Sequence, residues 1–167
     1  MSQVIHMGEE KIHERLEEAK PLLARHWEEV AIRKNIRPLD PDWAWYEQMS
    51  RSGRMRAFVV RYDAPPAVRM RPVGYAVFVI SPHPHYKTWN AAKSDLYWVD
   101  PDFRHQGLGS RMFLACEDWL RNTCRVHTLI HEVRPHLNPK GDLMEKLGYD
   151  LVGLCFEKVL QVPTLEP

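Results

Sequence analysis

The stretch from Val99 to Ser110 constrains the fold of this chain more than any other part of its sequence. A strand pattern ends at Val99, Gly107 and Gly109 follow, and an amphipathic helix pattern begins at these glycines. N–H groups at the start of a helix lack partners within it and lie at the positive end of its dipole, so they bind phosphate oxygens. Glycine has no side chain to keep an anion away. The stretch therefore predicts a diphosphate-binding turn, to which Arg104 adds a charge and Ser110 a hydroxyl.

The rest of the chain predicts a mixed α+β fold. Strands are predicted by apolar and β-branched content at Arg56–Tyr62, Val73–Ile80, Asp95–Val99 and His127–Val133, and a strand or hairpin broken near Gly153 at Leu151–Leu160. Val73–Ile80 is apolar on both alternating sets and should be a central strand. Helices are predicted at Glu9–Lys34 with either a break into two pieces or a kink at Pro21, from Pro41 to Gly53, behind the glycine turn to Leu120, and at Asp142–Lys146. The segment Ser81–Lys93 is predicted to be a connection, and Pro65, Pro66 and Pro72 a loop. With no internal repeat, we expect one domain over residues 1–167.

Composition limits the functions that this domain can have. The 167 residues carry a formal net charge of +1, which is too small for the basic field that non-specific nucleic-acid binding needs. The longest near-apolar run, Val73–Ile80, is far shorter than the roughly 20 residues that span a bilayer. The small charge and the short apolar run predict no nucleic-acid or membrane partners. Because His6, Glu9 and Glu10 stand where a signal peptide is apolar, we also expect a cytoplasmic protein.

Cysteine and histidine residues are the candidate metal ligands of this chain. Cys116, Cys124 and Cys155 show no CxxC spacing and are predicted to be three buried free thiols. Two histidine pairs could face one another, namely His83 with His85 and His127 with His131. Neither pair has a Cys, Asp or Glu at ligand spacing, so we expect ordinary histidines and no metal site.

Two motifs in this sequence resemble those of the GNAT superfamily of acyl-CoA-dependent N-acetyltransferases. The stretch DLYWVDPDFRHQGLGSRMF is similar to the central motif, a strand ending in V-x-P followed by R/Q-x-x-G-x-G/A at the start of a helix. The later LMEKLGYDLVG is similar to the second marker, L-Y-E-K-L-G-F followed by a strand. The resemblance implies an α+β GNAT fold: a mostly antiparallel mixed sheet, with splayed fourth and fifth strands and helices on both faces.

The resemblance also implies acetyl-CoA as acyl donor, with no metal. Its diphosphate would bind the turn formed by Arg104, His105, Gln106, Gly107, Leu108, Gly109 and Ser110. The backbone around Trp98 and Val99 would hydrogen-bond the pantetheine arm like an added strand and polarise the thioester carbonyl. Asn138 lies one residue from a position where the family often has an asparagine that contacts this arm. The implied reaction is direct attack of a primary amine on the thioester.

For the proton acceptor we favour Asp95, which matches a position where acids are frequent in the family. Alternation places it on the same side of its strand as Val99, from where it would act directly or through water. It could instead be a structural residue that caps the strand or pairs with a nearby base. Glu132 and His131, on the next strand, are weaker candidates.

The second marker departs from the family pattern at its general acid. Met144 stands where the family usually has a tyrosine that protonates the departing thiolate. Tyr149 or Tyr97 could substitute, or the thiolate could leave without an acid, since a thiol with a pKa near 8.5 is a tolerable leaving group. The alternative function is therefore a catalytically silent acyl-CoA-binding or structural module, and an acyl group other than acetyl also stays open.

The family builds its acceptor pocket mainly from the first helices. Aromatic and acidic residues occur together in this part of the chain: Trp27, Trp43, Trp45 and Tyr46, with Glu28, Glu29, Asp40 and Asp42. They could hold a cationic amine, or the aromatics could be core and the acids a solvated face. A small amine and a protein amino group fit equally well, and a homodimer is left open.

Overall fold

The computed structural model describes residues 4–63, 70–133, 139–155 and 157–160, with only the backbone at residues 105, 106 and 139–142. The chain divides into two compact units. The first consists of Met1–Leu16 and Trp43–Glu132 and contains the whole sheet. The second consists of Glu17–Asp42 and Val133–Pro167. A single domain over residues 1–167 stays a prediction.

The first unit is built on a five-stranded sheet with strands in chain order. The strands are β1 (Val4–Glu10), β2 (Met55–Asp63), β3 (Arg71–His83), β4 (Tyr86–Val99) and β5 (Thr128–Ile130). Neighbours pair antiparallel except β4 and β5, which are parallel. The predicted α+β fold with a mostly antiparallel mixed sheet is therefore confirmed, and β3 is the central strand that its continuous apolar sequence predicts.

The described part of the chain contains four α-helices. They are α1 (Leu16–Val30), α2 (Trp43–Arg51), α3 (Leu108–Asn122) and α4 (Pro139–Lys146), and short 3-10 helices lie at Ile12–Glu14 and Pro101–Gln106. In the described part of the chain, none of these helices has the length and apolar character that crossing a membrane requires.

The predicted helix from Glu9 to Lys34 is wrong at its start, and of the two alternatives at Pro21, the break into two helices is wrong. Its first residues belong to β1, whose alternate residues Ile5 and Met7 pack against the core. Pro21 lies inside one continuous helix, α1. It stands in the second turn, where its missing N–H removes a single bond near the helix end.

The core of the first unit lies between the sheet and α3. Leu108, Met112, Cys116 and Leu120 recur every four residues along α3 and are almost completely buried, as the helical stripe predicts. They pack against sheet residues that include Phe58, Val60, Ala76 and Phe78. Burying a large apolar side chain contributes about 1.5–3 kcal/mol, so this contact fixes α3 against the sheet.

Three other predictions are corrected. Ser81–Lys93 is not a connection, because β3 and β4 continue through it as a long hairpin that turns between His83 and Tyr86. Pro72 lies within β3, beside a bulge in its pairing with β2 that interrupts the ladder where proline lacks an N–H. Leu151–Leu160 forms no strand at its described residues, since none of them pairs in the sheet.

The parallel pairing of β4 and β5 is short. Ala91, Ala92 and Lys93 pair with Thr128, Leu129 and Ile130, and the described ladder ends there. β4 continues for six further residues to Val99 without β5 beside it. This divergence, which we call the fork, is the predicted splay of the fourth and fifth strands.

Candidate active site

The turn between β4 and α3 is built around Gly107. Asp100 follows β4 and is buried, and its carboxylate accepts a hydrogen bond from the N–H of Asp102 (3.2 Å), which caps the 3-10 helix. Gly107 then has a φ of +68°, a left-handed conformation that favours glycine. The N–H of Arg111 is bonded to the Gly107 carbonyl (3.1 Å), so the N–H groups of residues 108–110 precede the helix's own hydrogen bonds.

The surface at this turn has room for an anion. Among the described residues, nothing lies within 4 Å of a Cβ atom built on Gly107 or on Gly109. Leu108, between them, buries its side chain completely and can contribute only its backbone. Ser110 is half-buried at the first turn of α3, and the backbone of His105 and Gln106 belongs to the preceding 3-10 helix. These residues fit the diphosphate-binding turn that the sequence predicts.

One edge of β4 faces away from β3 along the fork. The N–H of Asp100 donates to a β3 carbonyl (2.8 Å). Because backbone bonds to the partner strand alternate in an antiparallel pair, Trp98 turns its N–H toward β3, and Tyr97 and Val99 turn theirs to the other edge. The Val99 carbonyl, on this edge, accepts a hydrogen bond from Nε of Arg104 (2.8 Å). Arg104 is thus held between the strand end and the glycine turn.

Asp95 lies in a bulge of β4. Val77 is paired with Leu96 but Phe78 with Ser94, so Asp95 is the extra residue between two ladder positions. The strict alternation that predicted Asp95 and Val99 on one side is therefore interrupted between them. A bulge turns a side chain out of the regular pleat, and here it brings the carboxyl within electrostatic reach of Tyr46 on α2.

The surroundings of Asp95 favour its proton-bound form. Burial raises the pKa of the Asp95 carboxyl above its ordinary value, and the charge of Lys93 opposes the rise. The side chain nevertheless keeps access to solvent. Burial, with the negative charge of Asp95 beside it, raises the pKa of Tyr46 to about 12, so this phenol stays neutral. A carboxylate with a raised pKa and an open face is suited to accept a proton.

Three of the predicted acceptor residues form a cluster on α2. The Tyr46 ring lies 5.6 Å from that of Trp43 and 5.4 Å from that of Trp45, which is 43% exposed. This aromatic cluster and the Asp95 carboxyl belong to the same unit. Trp27, Glu28, Glu29, Asp40 and Asp42 lie in the second unit, where Lys34 contacts both the Trp27 ring (5.1 Å) and the Glu28 carboxylate (2.7 Å).

His131 and Glu132 lie at the fork. Nδ1 of His131 is hydrogen-bonded to the Ser94 hydroxyl (2.9 Å), and Glu132 forms an ion pair with Lys93 (2.7 Å). Burial lowers the pKa of His131 to about 4, so its ring is neutral at pH 7. Ser94 could not be identified as a site residue from the sequence, because His131 is 37 residues away and no local pattern connects the two.

The candidates for the general acid are placed as follows. Met144 lies in α4 and is buried, and its carbonyl accepts a hydrogen bond from the N–H of Tyr149 (3.0 Å). The Tyr97 hydroxyl donates to the carbonyl of Gly109 (2.7 Å) and is thereby engaged in the structure. Asn138 lies outside the described residues.

The two predicted histidine pairs contain rings that accept hydrogen bonds from the backbone. Nδ1 of His83 accepts a hydrogen bond from the N–H of His85 (3.2 Å), and Nδ1 of His127 accepts one from the N–H of Asn90 (3.1 Å). Within the described ranges, no three His, Cys, Asp or Glu side chains are grouped to hold a metal ion.

The prediction of three buried thiols is wrong for two of them, since Cys116 is buried, Cys124 half-buried and Cys155 exposed. Cys155 lies in the C-terminal segment that forms no strand, which explains its exposure.

Comparison with known proteins places this chain in a family of acetyltransferases. Residues 16–149 match the Acetyltransferase (GNAT) family, and the chain belongs to that family. No curated protein matches the sequence significantly.

Solved structures of acetyltransferases share the fold. A ribosomal-protein-alanine N-acetyltransferase from Brucella melitensis superposes with a TM-score of 0.69 at 17% identity, over 94% of this chain and 100% of that one. An aminoglycoside acetyltransferase from an uncultured soil metagenomic sample gives 0.71 at 15% identity, over 96% and 100%. Aminoglycoside N-acetyltransferase AAC(6')-Iy in complex with CoA gives 0.67 at 17% identity, over 96% and 98%.

Proposed function

We propose that this protein transfers an acetyl group from acetyl-CoA to a primary amine of a small molecule or a protein. The observation that carries the proposal is the continuous path from the glycine turn along the open edge of β4 to Asp95. Membership of the GNAT family supports the acetyl transfer, and the CoA complex of a structural neighbour supports the donor. The aromatic cluster of α2 beside a carboxylate supports a cationic amine as acceptor.

The donor would be held by backbone groups at both ends of this path. The N–H groups of residues 108–110 would bind the diphosphate, with Arg104 and Ser110 beside them. His105, Gln106 and Gly107 complete that turn, and Asn138 stays a predicted contact to the arm. The segment around Trp98 and Val99 would bind the pantetheine arm through the N–H groups that face the fork, those of Tyr97 and Val99.

In the proposed transfer, the protein accepts a proton and forms no covalent bond with either substrate. Asp95 takes a proton from the substrate ammonium group, directly or through water, and the freed nitrogen lone pair attacks the thioester carbonyl carbon. The C–N bond forms, the C–S bond breaks, and the second amine proton ends on the departing CoA sulfur. Asp95 suits this role because burial raises its pKa toward that of the amine. The pKa difference between the proton donor and the proton acceptor is thereby smaller.

A second candidate function is an acyl-CoA-binding module without turnover. The observation that favours it is Met144, a buried thioether in α4 where the family usually has the acid that protonates the thiolate. The Tyr97 hydroxyl, one of the two substitutes, is already bonded to Gly109.

The two functions are separated by measuring binding and turnover on the same preparation. Calorimetry with CoA and acetyl-CoA measures binding, and mass spectrometry of a panel of amines incubated with acetyl-CoA measures transfer. Mass detection avoids thiol-reactive dyes, which would also label the exposed Cys155. Acetylated amine supports the enzyme, binding without product on any amine supports the module, and absence of CoA binding contradicts both.

A further inference from the structure

The fork between β4 and β5 is joined by side chains directly beyond its last ladder pair. The ladder ends with Lys93 opposite Ile130, so Ser94 and His131 are the next residues in register. Their side chains are hydrogen-bonded to each other (2.9 Å) at this position. The two strands thus separate immediately beyond a side-chain bond.

The His131 ring is held firmly in this position. It packs edge-on against Phe113 of α3 at 5.0 Å and against Phe78 of β3 at 6.2 Å. Burial keeps the ring neutral at pH 7, so one ring nitrogen is a donor and the other an acceptor, and the Ser94 hydroxyl can pair with Nδ1 in either role. The closed end of the fork is therefore a wall formed by a packed imidazole and a hydroxyl.

The length of β4 places this wall near the reactive end of a bound donor. Val99 and Ser94 are five strand steps apart, one of them in the bulge at Asp95, which is at most about 17 Å of extended strand. A pantetheine arm with its two amide groups reaches about as far as four to five extended residues. An arm that starts at the glycine turn and follows the open edge of β4 therefore ends beside Asp95, with its acyl group directed at the fork.

We propose that the Ser94–His131 pair sets the length of the acyl group that the protein accepts. The inference rests on the proposed function, because it presumes that an acyl-CoA occupies the fork. A short acyl group would end at the wall, and each added methylene would have to displace a packed ring or a bonded hydroxyl. Neither side chain needs to touch the reacting carbonyl, so both act as specificity residues.

Binding of a series of acyl-CoAs tests the inference without knowledge of the acceptor. Calorimetry with CoA, acetyl-CoA, propionyl-CoA and butyryl-CoA gives the ratio of the butyryl to the acetyl Kd. We expect this ratio to be about tenfold or more in the wild type, and to fall at least several-fold in His131→Ala and in Ser94→Ala. His131→Asn keeps an amide near the place of Nδ1 and Ser94→Thr keeps the hydroxyl, so both should retain most of the preference.

Lys93→Gln is the matched control at the same fork. It breaks the ion pair with Glu132, whose partners are 59% and 45% exposed, and should leave the ratio unchanged. Thermal unfolding shows that each variant is folded, and Ser94→Ala remains informative if His131→Ala is not.

The outcomes separate this inference from the function on which it rests. If the wild type binds CoA and both alanine variants keep the wild-type ratio, the inference is wrong and the proposed function stands. Equal affinities for acetyl-CoA and butyryl-CoA in the wild type would also overturn it. If the wild type does not bind unacylated CoA, the proposed function fails as well.

Discussion

The hydroxyl of Tyr97 donates a hydrogen bond of 2.7 Å to the carbonyl of Gly109. This bond connects the open segment of β4 to the first turn of α3, while the Tyr97 ring stacks on Phe113 at 3.9 Å. The strand that would hold the pantetheine arm and the turn that would hold the diphosphate are therefore joined by one side chain. Their separation is fixed before any ligand binds, which lowers the ordering cost of binding.

Tyr97→Phe should weaken both the fold and donor binding. The substitution removes the bond to Gly109 and keeps the stacked ring, so we expect a loss of about 1 kcal/mol in unfolding free energy, together with a several-fold rise in the Kd for CoA. Urea denaturation and calorimetry measure the two effects. Tyr62→Phe is the matched control, because it also removes only a hydroxyl and keeps the ring that packs on Phe103. Equal CoA affinity in Tyr97→Phe and the wild type would contradict the coupling.

The two glycines of the turn should respond differently to alanine. Gly107→Ala puts a side chain on a residue with φ of +68° and should cost about 1 kcal/mol of stability. Gly109→Ala lies in α3, where its Cβ meets open space, and should stabilise the helix by about 0.5–1 kcal/mol.

CoA affinity should fall in Gly107→Ala, whose methyl group occupies space that the diphosphate needs. It should change little in Gly109→Ala, because the family motif accepts Gly or Ala at this position. Thermal unfolding with calorimetry tests the pair, and Gly8→Ala, whose Cβ also meets open space, is the control in β1. A folded Gly107→Ala variant that binds CoA as well as the wild type would contradict a diphosphate at this turn.

Asp95→Asn should separate chemistry from binding. Loss of a general base lowers kcat by about 10²–10⁴-fold, whereas the Kd for CoA should be unchanged. Glu132→Gln is the control, because that carboxylate is paired with Lys93 and should affect kcat little. A pH–rate profile that keeps its acidic limb in Asp95→Asn would exclude Asp95 as the base.

The same variant makes a prediction about stability. Because burial raises the pKa of Asp95, the native state holds its proton at pH values where the unfolded chain has lost it. The ionised carboxyl therefore destabilises the fold above that pKa. Asp95→Asn should be more stable than the wild type at pH 7, and the gain should shrink as the pH falls below the native pKa and vanish below the pKa of the unfolded chain. Denaturation curves at several pH values test the sign.

The three thiols should react in order of exposure. Cys155 is exposed, whereas burial raises the pKa of the Cys116 and Cys124 thiols and keeps them protonated. Iodoacetamide should label Cys155 first, Cys124 slowly, and Cys116 only on unfolding, as peptide mass spectrometry would show. The denatured chain, in which all three should react alike, is the control. Labelling of Cys116 at the rate of Cys155 would contradict this packing of α3.

Local features of the site could be predicted from the sequence and non-local ones could not. The turn at residues 104–110 is encoded by neighbouring glycines and a helical stripe, so the sequence identifies it. The β1 strand was missed because its partner, β2, is about fifty residues away, and a short alternation beside a helical pattern is weak evidence alone. The orientation of Asp95 could not be derived, because the bulge exists only in the register between β3 and β4. The Ser94–His131 bond depends in the same way on the parallel register of β5.

The described ladder between β4 and β5 has three residue pairs and is followed directly by the Ser94–His131 bond. Few backbone bonds hold it, so its amide protons should exchange with deuterium far sooner than those between β2 and β3. A bound acyl-CoA would lie against the β4 edge that faces the fork, as a further, non-peptide strand. The protein would then complete its own sheet only when it is loaded with donor, and the slowing of exchange at residues 128–130 would report that state directly.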